Sequence, residues 1–415
     1  MIDYRTFTLA NGLQVVHHYD DATSHVAVNL LYDVGARDES PSLTGMAHLF
    51  EHLMFGGSVN VPDYDHAIEM AGGSNNAWTS NDFTNFYDIV AAENLDTALW
   101  AESDRMLQLA FSPQSLEVQR NVVMEEFKQV CINKPYGDFG HRLRKLLFRT
   151  HPYRYPTIGK ELAHIEHVTM DDVQRFFYTH YAPNNAVLAI AGPVEFDQVL
   201  ERVQYWFGDI PRRDIAPRMY EAETPITSPR REVVDADVPQ SRIAIAFHMA
   251  AHGAPGYREA DLITDILASG NSSRFYRRLV MGTDFFTAAD ASISGSEEPG
   301  FLMVTARLRR DDEETLRKAE DALWRELDNL VNEHVADYEL ERALNRFESN
   351  RTFAHINYLS KAQALAKAVM RGEDINEVVP AYRSVTPEDI KRTAAGIFVP
   401  DRSCTLIYKV RQPAD

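Results

Sequence analysis

The sequence predicts an α+β fold of two homologous halves, each a mainly antiparallel sheet covered by helices, the pair enclosing a cavity. Two distant segment pairs share one offset. Residues 168–190, "VTMDDVQRFFYTHYAPNNAVLAI", lie without a gap over 385–407, "VTPEDIKRTAAGIFVPDRSCTLI", and "HVAVNLLY" (25–32) falls on "RIAIAFHM" (242–249), both displaced by 217 residues. The length, 415 residues, exceeds one ordinary core. Short strand-to-strand connections such as "LANGLQVVHH" suit antiparallel neighbours and not a doubly wound parallel sheet.

Each element follows from local pattern. The two shared strands alternate β-branched and small residues, and the 168–190 repeat reads as helix then strand in both copies. The halves are drawn at 1–212 and 226–415, with 213–225 as a linker inside a stretch rich in proline and charge, "RRDIAPRMYEAETPITSPRRE".

Composition narrows the function classes. Lys+Arg 42 against Asp+Glu 61 gives a formal charge of −19, which disfavours nucleic acid and anionic membrane, and either draws basic substrates or serves solubility. Two cysteines, Cys131 and Cys404, are too few for a disulfide framework and read as packing residues. The start, "MIDYRTFTLANGLQVV", has no basic segment followed by an apolar core, and no apolar run is long enough to span a bilayer. A cytoplasmic location is expected.

The chemistry concentrates in "SLTGMAHLFEHLMFGG" (42–57), which predicts a helix beginning near Ser42 or Thr44 and stopped by Gly56 and Gly57. At 100° per residue, His48, Glu51 and His52 share one arc, and Leu49, Phe50 and Leu53 share another. Histidines at i and i+4 can offer two imidazoles to one Zn²⁺, and a nearby carboxylate that is not a ligand can take a proton from water. Two ordinary core histidines are the plain alternative until a third ligand is found. Under the offset, His48 and His52 fall on Asp265 and Ser269, so the second half lacks the constellation and the fold does not require it.

A third ligand is available in "SPQSLEVQRNVVMEEFKQVC" (112–131), a helix capped by Ser112 with Pro113 at its first position. Helical geometry puts Glu126 on a stripe with Gln119, Val122, Val123 and Val130, and puts Glu125 on the polar side. A carboxylate on an apolar stripe is costly unless paired or bound to metal, so Glu126 is the candidate ligand and Glu125 a surface charge.

With these residues in place the chain resembles the inverted zinc metallopeptidases of the pitrilysin and insulinase family. The motif His-x-x-Glu-His, followed some 75 residues later by glutamate, matches His48, Glu51, His52 and Glu126. Supporting segments are "LANGLQVV", "AGGSNNAWTSNDFTNFY", "QRNVVMEE", "HPYRYPTIG" and "YAPNNAVLAIAGPV". Length and layout are most similar to the mitochondrial processing peptidase branch, in particular the zinc-bearing subunit of a heterodimeric bacterial form. The resemblance implies one Zn²⁺ held by His48, His52 and Glu126, with Glu51 as general base in an endopeptidase acting on peptides or unfolded segments. It also implies that Asn76 and Ala77 lie on an edge strand that pairs with the substrate backbone. A glutamate that supports the site in family members is Gln119 here, which can hydrogen-bond but brings no charge.

One departure bears on partners. Family members carry an arginine and, seven residues on, a tyrosine in the second half. The stretch "SSRFYRRLVMGTDFFTAAD" (272–290) places Val280 and Thr287 at those positions. Neither replaces the donors. A heterodimer is therefore expected, in which a homologous partner supplies the arginine and tyrosine; a homodimer, or Arg277 acting within the chain, is the alternative. Two rival functions stand beside the peptidase: a non-catalytic scaffold subunit, whose relatives lose ligands kept here, and S-ribosylhomocysteine cleavage, which occurs on a much shorter related fold.

Overall fold

The β-branched runs "HVAVNLLY" and "RIAIAFH" each become an inner strand of a separate sheet. The computed structural model describes residues 1–411. The first sheet holds β1 (Arg5–Thr8), β2 (Gln14–Tyr19), β3 (His25–Tyr32), β4 (Ser74–Thr79), β5 (Thr84–Ala91) and β6 (Ala186–Gly192), in the order β1-β2-β6-β3-β5-β4. The second holds β7 (Arg230–Ala236), β8 (Arg242–His248), β9 (Phe286–Ser294), β10 (Phe301–Leu308) and β11 (Cys404–Val410), in the order β7-β11-β8-β10-β9. Apart from β1 the two orders are the same. Their parallel pairs are equivalent, β2 with β6 and β7 with β11, and the other neighbours run antiparallel. The expected α+β class with two homologous, mainly antiparallel halves is what the chain adopts.

The units that form around these sheets are not continuous stretches. Unit 1 takes Met1–Lys128, Tyr155–Tyr220 and Asn350–Val378; unit 2 takes Gln129–Arg154, Glu221–Ser349 and the chain from Val379 onward. Each sheet is therefore covered on one face by a helix from the other half of the sequence. In unit 1 this is Tyr358–Arg371, whose Ala362, Leu365 and Ala366 pack on Val16, Ala27, Leu31, Val187 and Ala189. Small residues on the helix let it lie close to the sheet. Lys361 is ion-paired with Asp20, the Lys367 ammonium sits 4.6 Å from the Trp78 ring centre, and Asn376 exchanges two hydrogen bonds with the Ile2 backbone. In unit 2 the covering helix is Phe139–Leu147, with Leu143 and Leu147 against Ala244, Ala246 and Leu406. Its last carbonyl, that of Leu147, accepts from His248 at 2.9 Å and from Arg230 at 3.1 Å.

The opposite face of the first sheet is closed by aromatic packing and one buried ion pair. Arg105 donates to Glu102 at 2.5 and 2.7 Å, and its guanidinium lies 4.1 Å from the Tyr64 ring centre and 4.4 Å from that of Phe86. No helix among the described residues is long and apolar enough to cross a membrane.

Candidate metal centre

The histidine helix spans Met46–Leu53, a shorter course than the expected start near Ser42 or Thr44. Gly45 sets the boundary with a left-handed φ of +88°, and a Cβ there would come 3.1 Å from the Ile158 carbonyl oxygen. Thr44 cannot cap, because its hydroxyl accepts from the Lys160 amide at 2.8 Å and lies 2.9 Å from His164 Nδ1. The first amides are taken instead by Glu39, whose two carboxylate oxygens accept from Gly45 and Ala47 at 2.8 Å each. Leu49, Phe50 and Leu53 are buried, and Phe50 stacks on Tyr181 at 4.3 Å. The opposite arc carries the histidines and Glu51.

The glutamate helix, Pro113–Phe127, is capped by the Ser112 hydroxyl, which accepts from Ser115. Its buried stripe is Leu116, Val123 and Phe127. Val122, placed on that stripe from the sequence, is 45% exposed, and Glu126 is at the rim and not under it, with 39% of its side chain exposed. The difference arises because the stripe follows i, i+7, i+11, which turns the face away from Val122. Glu125 points outward and pairs with Lys128 at 2.6 Å.

The two helices bring His48, His52 and Glu126 together, each offering one donor atom within 4.8 Å of the others. Glu126 Oε2 is 3.6 Å from His48 Nε2 and 3.7 Å from His52 Nε2. These separations are too long for hydrogen bonds. They approach the roughly 3.4 Å between two donors that each sit about 2.1 Å from one tetrahedral ion. Two imidazoles and a carboxylate also form a donor set suited to zinc, and three ligands leave a position open. Burial, opposed by Glu126, lowers the His48 pKa and so favours the neutral imidazole that can ligate. His48 Nδ1 is buried without a hydrogen-bond partner among the described residues.

Glu51 belongs to the same helix arc but not to the donor cluster. Its carboxylate accepts from the Thr79 hydroxyl on β4. Burial pushes its pKa up, the Thr79 bond opposes this, and the charge of Glu126 adds to the rise. A carboxylate held in this way beside the donor cluster suits proton transfer.

The remaining candidates fall at defined places. Gln119 is half-buried on the glutamate helix and, among the described residues, makes no hydrogen bond to His48, His52 or Glu126. Asn76 and Ala77 lie on β4, the outermost strand of the first sheet, opposite Tyr87 and Phe86. The Asn76 side chain accepts from the Ala77 amide at 2.8 Å. In unit 2, Val280 ends the helical stretch Phe275–Val280, and Thr287 on β9 is exposed, 3.4 Å from the Gln240 side chain. Arg278 is ion-paired with Glu326 at 3.1 Å. His17, at the end of β2, is buried with Nε2 2.8 Å from the Val194 carbonyl and its ring against Phe196.

Sequence reasoning passed over Glu39 and Thr79. Glu39 sits in "ARDES", where its neighbours make it look like a solvated charge. Thr79 lies in the quoted "AGGSNNAWTSNDFTNFY", and strand alternation would have placed it on the same face as Ala77.

The unit 2 helix refines the duplication. It spans Tyr257–Ala268 behind Gly256, whose φ is +94°. The two capping glycines are 211 residues apart and not 217, because the connection into the second helix is shorter. In helical register His48, Glu51 and His52 therefore correspond to Glu259, Leu262 and Ile263, not to Asp265 and Ser269.

Residues 14–160 match the family model described as Insulinase (Peptidase family M16), and residues 167–347 match that described as Peptidase M16 inactive domain. The chain is similar to "Zinc protease PqqE" of Helicobacter pylori, with 28% identity over 416 residues, covering 98% of this chain and 93% of that protein. It is 21% identical to "Uncharacterized zinc protease YmxG" of Bacillus subtilis over 97% of this chain and 98% of that one. A probable mitochondrial-processing peptidase subunit beta of Arabidopsis thaliana is 28% identical over 277 residues, 65% of this chain and 51% of that protein. Among solved structures, a protease from Helicobacter pylori superposes with a TM-score of 0.91 at 25% identity, covering 99% of this chain and 100% of the other. A Pseudomonas fluorescens structure titled as a peptidase M16 inactive domain shares the fold, with a TM-score of 0.86 at 16% identity over the whole of both chains.

Proposed function

Because the chain belongs to the insulinase family of peptidases, M16, we propose that it is a zinc-dependent endopeptidase, or the zinc-bearing subunit of one, that hydrolyses peptides or unfolded protein segments. The observation that carries this is the convergence of His48, His52 and Glu126 from two helices, with Glu51 beside them but bonded to Thr79. His48, His52 and Glu126 would hold the zinc, which would supply a Lewis acid and lower the pKa of a bound water.

The chain's own groups do the rest. Glu51, with its pKa raised by burial, accepts a proton from the attacking water and returns it to the leaving amine. The outer edge of β4, bearing Asn76 and Ala77, has no strand beside it among the described residues, and an extended peptide can pair with its backbone there largely regardless of the peptide's side chains. Val280 and Thr287 provide no strong donor for the substrate carbonyl, so the proposal includes a homologous partner that supplies an arginine and a tyrosine. Loss of such a donor costs about 10²–10³ in rate. A scaffold role is disfavoured because all four residues of the constellation are kept.

The test is metal analysis and hydrolysis of a long quenched peptide by the wild type and Glu51→Gln, each alone and with candidate homologous partners. Glu51→Gln should keep its zinc and lose about 10²–10⁴ in rate. Activity that appears only with the partner supports the heterodimer; full activity of the chain alone, or as a homodimer, removes it. Near-normal turnover by zinc-loaded Glu51→Gln overturns the mechanism.

A further inference from the structure

The hydrogen bond from Thr79 to Glu51 has a role beyond satisfying a buried carboxylate. Thr79 Oγ1 donates to Glu51 Oε2 at 2.5 Å, and among the described residues it is the one side chain hydrogen-bonded to that carboxylate. With Oε2 held, the carboxylate cannot rotate freely, and Oε1 is left to receive a proton.

Thr79 is itself held firmly. Its β-branched side chain has few rotamers, and its backbone pairs with Thr84 across the strand. The turn that follows is closed by Ser80 donating to the Phe83 carbonyl at 2.8 Å. That turn is gripped from outside: Ala36 donates to the Ser80 carbonyl at 3.1 Å and Arg37 to that of Asn81 at 2.9 Å. Gly35 permits the approach, since a Cβ there would sit 2.5 Å from the Asn81 carbonyl oxygen. The Arg37 side chain pairs with Asp33 and Asp82 at 3.0 and 2.9 Å. The hydroxyl is thus presented from rigid backbone.

Strand alternation puts Ala77 and Thr79 on one face of β4 and Asn76 and Trp78 on the other, where Trp78 packs under Lys367. We infer that Thr79 is a positioning residue for Glu51, fixing the carboxylate with Oε1 free, so that one strand sets both the path of the peptide and the aim of the base. This rests on the proposed peptidase function. A hydroxyl two residues from the peptide-pairing position couples ordering of β4 by a bound peptide to the orientation of Glu51.

The test compares Thr79→Val, which keeps the shape and removes the hydroxyl, with Thr79→Ser, which keeps the hydroxyl. All are measured in the full chain with any partner that activity requires. Zinc content should be unchanged in both. Thr79→Val should lose about 10–100-fold in kcat with KM moved less than about threefold, and Thr79→Ser should recover most of that loss. A kcat for Thr79→Val within about twofold of wild type, or equal losses in both variants, overturns the inference. A second arm does not depend on turnover. Crystal structures of the zinc-loaded wild type and Thr79→Val should show Glu51 in one orientation in the first and rotated or split in the second. An identical Glu51 in both overturns the inference. If the wild type hydrolyses no peptide, the peptidase proposal fails and the crystallographic arm alone decides the role of Thr79.

Discussion

The histidine helix of unit 1 and its counterpart in unit 2 begin alike, each behind a glycine in the left-handed region, and then diverge in what they present. Where unit 1 has Glu51 and His52, both part-exposed, unit 2 has Leu262 and Ile263, 1% and 0% exposed. Fully burying such a side chain contributes about 1.5–3 kcal/mol. The same architecture therefore accepts an apolar filling at this position, and unit 1 has in its place two residues of the constellation proposed to hold zinc and to supply its base. The site in unit 1 lies beside the scaffold's packing and is not demanded by it.

That contrast can be broken directly. Replacing the unit 1 pair with the unit 2 residues, Glu51→Leu with His52→Ile, should abolish zinc binding and hydrolysis. Compared with zinc-free wild type, the double variant should be more stable by about 1–2 kcal/mol in thermal denaturation, less than full burial because these positions are only half-buried. A less stable double variant would mean that the polar residues also support the packing.

A second contrast lies at the helix starts. Glu39 caps the unit 1 helix from a buried position with no cation paired to it among the described residues, and burial pushes its pKa up to about 8. Gly256 at the start of the unit 2 helix provides no side-chain cap. Since the folded-state pKa of Glu39 lies above the unfolded value of about 4.3, the stability linked to this group is present in full below that value. It is lost as pH rises through about 8. Denaturant unfolding from pH 5 to 9 should show the wild type losing on the order of a few kcal/mol relative to Glu39→Gln, which cannot titrate. Parallel pH profiles for the two proteins would place the charge of Glu39 in a better-compensated site.

The smallest expected difference is between the two glycines. Alanine at either must adopt positive φ, at a cost of about 1–2 kcal/mol. At Gly45 the new Cβ would also lie 3.1 Å from the Ile158 carbonyl and 3.2 Å from Gly159, whereas at Gly256 its nearest neighbour is 3.8 Å away. Gly45→Ala should therefore destabilise more than Gly256→Ala and should also weaken zinc binding. Equal losses from both would leave backbone strain as the whole effect.

Much of this was legible in the sequence. Repeated strand and helix patterns gave the duplication, and helical angles separated Glu126 from Glu125. What escaped depends on partners distant in sequence. Periodicity says which face of Tyr358–Arg371 is apolar but not that it covers the sheet of the first half. Glu39 reads as one more charge in "ARDES" until the fold sets it against the amides of Gly45 and Ala47. The single offset of 217 held for the strands and failed at the helix, because a connection of different length shifts the register there without disturbing the sheet.

The central claim is that one metal site lies in unit 1, built from His48, His52 and Glu126, and that unit 2 has none among its described residues. Zinc content per chain, measured for wild type, Glu126→Gln and Glu125→Gln after dialysis against a weak chelator, tests it most directly. The account predicts one zinc in the wild type and in Glu125→Gln and none in Glu126→Gln. Equal zinc content in the two variants, or zinc persisting in Glu126→Gln at the wild-type level, would contradict it.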